Sequence, residues 1–338
     1  MTGLVLTFAV CTLVIVVSAT GLSRYAGKLA EMTGIGKVWV GMTAVAISTS
    51  LPELSSGLSA VLYADSPNIA IGDVLGSCVF NLGIIALIDI MTPGEPMRIK
   101  LGPGHLISAG FGVVLLSIVI TGLVLPPIPW FTMMDMSMIS PLIIGTYIVA
   151  SRMTFMFEQM ELQKSDKAGI HKPRVSKDEK VTAIIMLVAC AVVVAVSGSL
   201  LPRLGVQIAD GYGLGRGFVG SVLVAMSTSL PELVVAVACV RYHTLDIAVG
   251  NIFGSNIFNC VVLSIDDAAF TEGSIYLAAS PGQAITAGIA LVMTGIAIVG
   301  MVYKSHKRTI IGIGWDSALM IALYILNTIT SFSFSGGR

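Results

Sequence analysis

Apolar residues dominate the chain in ten long blocks separated by short polar segments. The blocks cover residues 3–23, 37–62, 69–91, 104–123, 130–151, 181–201, 215–240, 246–265, 280–303 and 310–330. A helix needs about 20 apolar residues to cross a bilayer core, so each block predicts one spanning helix. The longest polar interruption, "EQMELQKSDKAGIHKPRVSKDEK" (158–180), divides the chain into two units of five helices, 1–157 and 181–338, joined by a charged linker. No basic segment precedes the first block, so it reads as a span and not as a cleaved leader.

Composition agrees with that pattern. Of 338 residues, 55% are hydrophobic and only 11% charged, where a soluble domain carries about 25% charged residues. The expected protein is an all-α polytopic membrane protein in the lipid bilayer of the plasma membrane. Placing the N-terminus outside leaves only Arg203, Arg216 and Arg338, of 19 Lys and Arg, outside the cytoplasmic segments. Basic residues favour the cytoplasmic side, which puts both termini outside. A net charge of zero gives no support for a nucleic-acid partner. Nothing points to a protein partner or to assembly beyond a monomer. The five cysteines lie in apolar runs without metal-type spacing, and the four histidines lie in loops or at helix ends. They are read as packing and interfacial residues.

The polar residues inside the apolar blocks are duplicated. "STSLPEL" occupies residues 48–54 and again 227–233, and "GDVLGSCVFN" (72–81) recurs as "GNIFGSNIFN" (250–259) with five of ten positions identical. Each pair falls on the second and third helix of its unit. An odd number of spans per unit makes the second copy enter from the opposite side. Inverted repeats with interrupted helices at matching positions mark a secondary transporter whose site lies at the repeat interface.

Helical spacing puts Ala46, Thr49, Ser50 and Glu53 on one stripe, and Ala225, Thr228, Ser229 and Glu232 on its copy. Pro52 and Pro231 remove a backbone donor and crowd the preceding turn, predicting a kink that turns carbonyls inward. Ser77 and Asn81 share a face of the third helix, as Ser255 and Asn259 do on the eighth. These are all oxygen donors, which suit hard cations such as Ca²⁺ or Na⁺ and not zinc or copper. Two facing carboxylates at membrane depth need a cation or proton between them. A kinked packing helix is the bland alternative, and the duplicated glutamate argues against it. Gly72/Gly76 and Gly250/Gly254 are read as close helix packing.

At these motifs the sequence resembles the cation/calcium exchanger superfamily, and most of all its sodium/calcium exchanger branch. The two "STSLPEL" segments and the two glycine-bearing segments resemble the family's alpha repeats. The resemblance implies antiport of cytoplasmic Ca²⁺ for external Na⁺ by alternating access, three Na⁺ for one Ca²⁺ and hence electrogenic. The two ions are transported substrates, with no organic cofactor. Position by position it implies Glu53 and Glu232 as central ligands, with Thr49, Ser50, Thr228 and Ser229 as hydroxyl ligands. Ala46 and Ala225 would offer carbonyls, and Ser77, Ser255 and Asn81 further oxygens. Asn259 stands where several relatives carry aspartate, which leaves two acids in the expected core. Cys78 stands opposite Asn256, and Asp73 opposite Asn251.

Asp73, one turn from Ser77, is expected to attract cations at the external mouth, against the alternative of an interfacial acid in water. Asp266, Asp267 and Glu272 read as a solvated acidic loop or a cation funnel. The linker is too short for a cytoplasmic calcium-sensing domain. A proton-coupled exchanger of the same fold is the nearest rival, and vesicle flux against Na⁺ and pH gradients separates the two. An intramembrane enzyme would need a nucleophile with a positioned base, and "SIDDAAF" (264–270) offers none and has no partner in its repeat. A channel lacks the counterflow that broken inverted repeats predict.

Overall fold

The structure, a computed structural model, describes residues 2–31, 39–92, 95–125, 132–133, 136–165, 177–305 and 313–335. Helix α1 is Thr2–Glu31. A π-helical turn, Val40–Val45, leads into α2 (Ala46–Thr49), and α3 (Leu51–Leu62) follows after a break at Ser50. Helix α4 is Pro67–Met91, α5 the short Met97–Lys100, and α6 Gly104–Val124. A small ladder pairs β1 (Thr132–Met133) with β2 (Met136–Ser137) ahead of α7, Ile139–Ser165.

The second half repeats the pattern. Helix α8 is Lys177–Tyr212 and α9 Arg216–Phe218, and a π-helical turn, Val219–Val224, leads into α10 (Ala225–Thr228). After a break at Ser229 come α11 (Leu230–Arg241), α12 (Leu245–Ala269), α13 (Ile275–Ala278), α14 (Pro281–Tyr303) and α15 (Trp315–Ser335).

Eight of these helices are long and apolar enough to cross a membrane, and α9–α10 with α11, bent by 42°, makes a ninth. The predicted second span, 37–62, is broken at Ser50, and Lys37 lies outside the described residues. Ten spans is therefore an expectation at that element. The predicted fifth span, 130–151, starts late, because the β1–β2 ladder occupies its first residues and α7 runs on to Ser165. The middle of the 158–180 linker, with His171, lies outside the described residues, as do His306, Lys307, Arg308 and Arg338.

Burial sorts the helices by role. In α4 and α12, 72% and 89% of the apolar stretch is enclosed by protein, against 17% in α1, α8 and α15. Lipid is as apolar as leucine, so Leu6, Val17, Ile185, Val196 and Ile329 stay exposed on the outer helices. The inner pair packs against the π turns. A Cβ on Gly76 would overlap the Ser221 carbonyl, and one on Gly254 would overlap that of Met42, in the matching turn of the other half. Gly72 likewise faces the backbone of Gly217–Ser221. Small-residue packing was legible in the sequence. That its partner is a widened turn of the opposite half was not.

One further correspondence is absent from the motif reading. Asp89 Oδ1 accepts the N–H of Met97 at 2.8 Å and its Oδ2 accepts Ser317 Oγ at 2.9 Å and Gly314 N–H at 3.3 Å. Asp267 does the same in the second half. Its Oδ1 takes Ile275 N–H at 2.9 Å, and its Oδ2 takes Ser140 Oγ at 2.7 Å and Ser137 N–H at 2.9 Å. Each acid ends its inner helix, folds the next segment back eight residues on, and ties down the start of α15 or α7. Asp267 thus has a repeat partner, contrary to the sequence expectation, and neither it nor Asp266 sits in a solvated loop: both are buried in α12. Two distant "D" residues in unlike flanking sequence hid this clamp.

Overpacking a tight backbone contact costs about 1–3 kcal/mol. Gly76→Ala and Gly254→Ala should therefore each lower the melting temperature of the detergent-purified protein. Gly110→Ala, where a Cβ meets nothing within 4 Å, should leave it unchanged or raise it.

Candidate cation site

The breaks at Ser50 and Ser229 are local consequences of Pro52 and Pro231, which fall at the start of α3 and α11, where a missing N–H costs nothing. The chain passes through Ser50 at φ −88°, ψ 8° and through Ser229 at φ −91°, ψ 4°, nearly the same in both halves. Each break places a glutamate in the first turn of the following helix, where the exposed N–H groups and helix dipole favour a carboxylate. Glu53 and Glu232 are wholly buried, and so are Thr49, Ser50, Thr228, Ser229, Ser77, Asn81, Ser255, Asn259 and Asp73.

The two halves are stitched together at these residues. Glu53 Oε1 accepts the hydroxyl of Ser229 at 2.8 Å, from the opposite half, and that of Ser77 at 3.3 Å, from its own. Ser77 also meets the Ala225 carbonyl at 3.4 Å and Thr228 Oγ1 at 3.4 Å. In the mirror position Ser255 donates to Glu232 Oε1 at 3.2 Å and meets Thr49 Oγ1 at 3.3 Å. Thr49 Oγ1 in addition donates to Asn251 Oδ1 at 3.1 Å and to the Ala46 carbonyl at 3.2 Å. The Glu53 and Glu232 carboxylates lie within electrostatic reach of each other.

Asn81 and Asn259 are less tightly joined. Asn81 Nδ2 donates to Asn256 Oδ1 at 3.0 Å, whose own Nδ2 reaches the Cys78 carbonyl at 3.1 Å. Asn259 is buried with neither side-chain atom bonded. The Ala46 and Ala225 carbonyls also accept the N–H groups of Ser50 and Ser229, at 2.9 and 3.0 Å. The helix keeps its hydrogen bond across each break, so the proline opens the turn less than its chemistry alone suggests.

Asp73 does not stand at a water-filled mouth. It is fully buried, its Oδ1 accepts Thr228 Oγ1 at 2.8 Å, and it feels the charge of Glu53. The buried core therefore holds a third acid, where the sequence reading expected two. Its repeat counterpart, Asn251, is the group that accepts from Thr49, so the two threonines make matching contacts to an acid in one half and an amide in the other.

The unpaired atoms define the chemistry. Glu53 Oε2, Glu232 Oε2, Asp73 Oδ2, Ser50 Oγ and Asn81 Oδ1 are buried with no hydrogen-bond partner. A buried carboxylate oxygen without a donor is costly, and a bound cation or proton would relieve that cost. Among the described residues, no three His, Cys, Asp or Glu side chains converge as metal ligands. A cation here would take most of its oxygens from hydroxyls, amides and carbonyls, a donor set that suits Na⁺ or Ca²⁺.

Comparisons with known proteins agree with this chemistry. The family model described as "Sodium/calcium exchanger protein" matches residues 3–150 and 182–333. The inner membrane protein YrbG of Escherichia coli is 30% identical over 273 residues, 78% of each chain. The sodium/calcium exchanger MaX1 of Methanosarcina acetivorans is 25% identical over 333 residues, covering 89% of this chain and 93% of its own. Among solved structures, the sodium-calcium exchanger NCX_Mj aligns with a TM-score of 0.61 at 23% identity, over 96% of this chain and 97% of that one. The H⁺/Ca²⁺ exchanger CAX aligns with a TM-score of 0.72 at 13% identity, over 98% and 85%. The overall fold is thus that of the cation exchangers, and the chain belongs to the sodium/calcium exchanger family of membrane ion transporters.

Proposed function

We propose that the protein is an antiporter that exchanges Ca²⁺ for Na⁺ across the cell membrane, with Glu53 and Glu232 as the central ligands. The observation that carries this reading is the pair of buried glutamates, one from each half. Each is held through Oε1 by a serine of the neighbouring inner helix and keeps Oε2 unpaired. One Ca²⁺ neutralises the two carboxylates, and two Na⁺ do the same, so either cargo relieves one electrostatic cost. Thr49, Ser50, Thr228, Ser229, Ser77 and Ser255 supply hydroxyl oxygens around them, with Asn81, Asn259 and the carbonyls of Ala46 and Ala225 completing the shell. A carboxylate pair is least stable when empty, which favours movement of a loaded site and hence exchange over leak.

In this reading the chain forms ten spans as two inverted five-helix units, 1–157 and 181–338, with both termini outside. The cross-half contacts at Thr228–Ser77 and Thr49–Ser255 support it, because each broken helix meets the inner helix of the other unit. Rocking of the broken helices against α4 and α12 would then expose the glutamates to one side at a time. Proton coupling is the second reading, and Asp73 favours it: a third buried acid beside Glu53 must hold a proton or another cation when Ca²⁺ balances only the glutamates.

Inside-out vesicles separate these readings. Ca²⁺ uptake should follow an imposed Na⁺ gradient and change little with a pH gradient alone. Uptake driven by pH and indifferent to Na⁺ would make the protein a proton-coupled exchanger.

Glu53→Gln and Glu232→Gln should each reduce Ca²⁺ flux by at least a hundredfold while the protein remains monodisperse in detergent. Ser77→Ala and Ser255→Ala remove one hydrogen bond to a charged group, worth about 1.5–3 kcal/mol. Each should weaken Ca²⁺ affinity by about tenfold or more in the same flux assay. Normal flux in either glutamate variant would remove the central-ligand assignment.

A further inference from the structure

The two halves differ at many positions, and two of the differences that add an acid meet. Asp73 stands where the other half has Asn251. Asp266 stands one residue before the clamp residue Asp267, so its counterpart, one residue before Asp89, is Ile88. The acids without an acidic counterpart come from different halves, α4 and α12. Those helices run antiparallel, so the start of one and the end of the other share one end of the core. There Asp266 lies within electrostatic reach of Asp73.

The third wall is α3, one turn beyond Glu53. Asp266 packs against Gly57 so closely that a Cβ on that glycine would overlap its carboxylate. Ser56 Oγ, wholly buried and without a partner, is turned toward Asp73. Both carboxylate oxygens of Asp266 and Oδ2 of Asp73 are likewise buried and unpaired. Among the described residues, neither acid is in an ion pair with a basic side chain. At the opposite end of the core the matching positions are Asn251, Ile88, Val235 and Ala236, which carry no acid and a single side-chain oxygen.

We infer that Asp73, Asp266 and Ser56 form an additional site for a hard cation, adjoining Glu53 at one end of the exchange site only. Two carboxylates and a hydroxyl select a hard cation. Thr228, bonded to Asp73 and in contact with Ser77, links this site to the oxygens around Glu53. By the distribution of basic residues this end faces outside. The inference leans on the exchange reading for its direction alone.

The test uses purified full-length protein carrying Glu232→Gln, which disables the central pair, and Ca²⁺ as the probe. Binding is read both by Ca²⁺-dependent thermal stabilisation and by equilibrium binding of radioactive Ca²⁺. The variant should still bind Ca²⁺, and adding Asp266→Asn should weaken that binding by about tenfold or more. Ser56→Ala guards against misfolding. Loss of an unpaired buried hydroxyl should not lower the cation-free melting temperature, yet it should weaken Ca²⁺ binding several-fold. Ca²⁺ affinity within twofold of the parent in both Asp266→Asn and Ser56→Ala would overturn the site. A protein with both glutamates intact that shows no Na⁺- or H⁺-driven Ca²⁺ flux, while Ca²⁺ binding still falls with Asp266→Asn and Ser56→Ala, would sink the exchange reading and leave this site standing.

Discussion

Burying a carboxylate in a low-dielectric interior costs several kcal/mol unless something opposes its charge, and this protein buries Glu53, Glu232, Asp73 and Asp266 in its core with no ion pair to a basic side chain among the described residues. What opposes the charge of Glu53 and Glu232 is a set of hydroxyl donors, each able to give only one hydrogen. Ser229 and Ser77 satisfy one oxygen of Glu53, and Ser255 satisfies one oxygen of Glu232. The second oxygens stay free. That half-satisfied state is poor for stability and well suited to holding a cation that must also leave.

The demand for such a site shapes the helices around it. A continuous α-helix bonds all its own carbonyls and presents only side chains, whereas a span with a break can bring backbone oxygens and a helix N-terminus to membrane depth. Proline provides the break and π turns take up the misfit on the other side of it. Those widened turns would hold the inner helices away were it not for Gly76 and Gly254, which let backbone meet backbone. The glycines, prolines and glutamates are therefore one device, and the acid clamps of Asp89 and Asp267 anchor its ends.

Much of this was legible in the sequence, because its signals are local or duplicated. Apolar blocks located α1, α4, α6, α12, α14 and α15 to within a few residues in most cases, since bilayer thickness fixes their length. Repetition of "STSLPEL" located the broken helices and their glutamates. What escaped was set by contact between distant segments. The π turns have no residue of their own that demands them, and arise where Met42 and Ser221 cross a glycine. Asp73 read as a surface acid because its position near a helix start gives no hint that Thr228 covers it. Asp267 read as part of an exposed loop because its four hydrogen-bond donors come from segments 7, 8, 127 and 130 residues away.

Inverted repeats make the two ends of a transport path nearly alike, and a fully symmetric site would hold cations equally from either side. The departures from symmetry are therefore where direction-dependent affinity can arise. Two of them, Asp73 against Asn251 and Asp266 against Ile88, add buried negative charge at the same end. Thr228 meets an acid where Thr49 meets an amide, at 2.8 and 3.1 Å. Electrostatic attraction between unit charges falls with distance and rises steeply as water is excluded. Buried acids at one end therefore bias cation affinity toward that side far more than exposed acids in a loop could. These two buried acids therefore stand at positions where a difference in ion affinity between the two faces could arise.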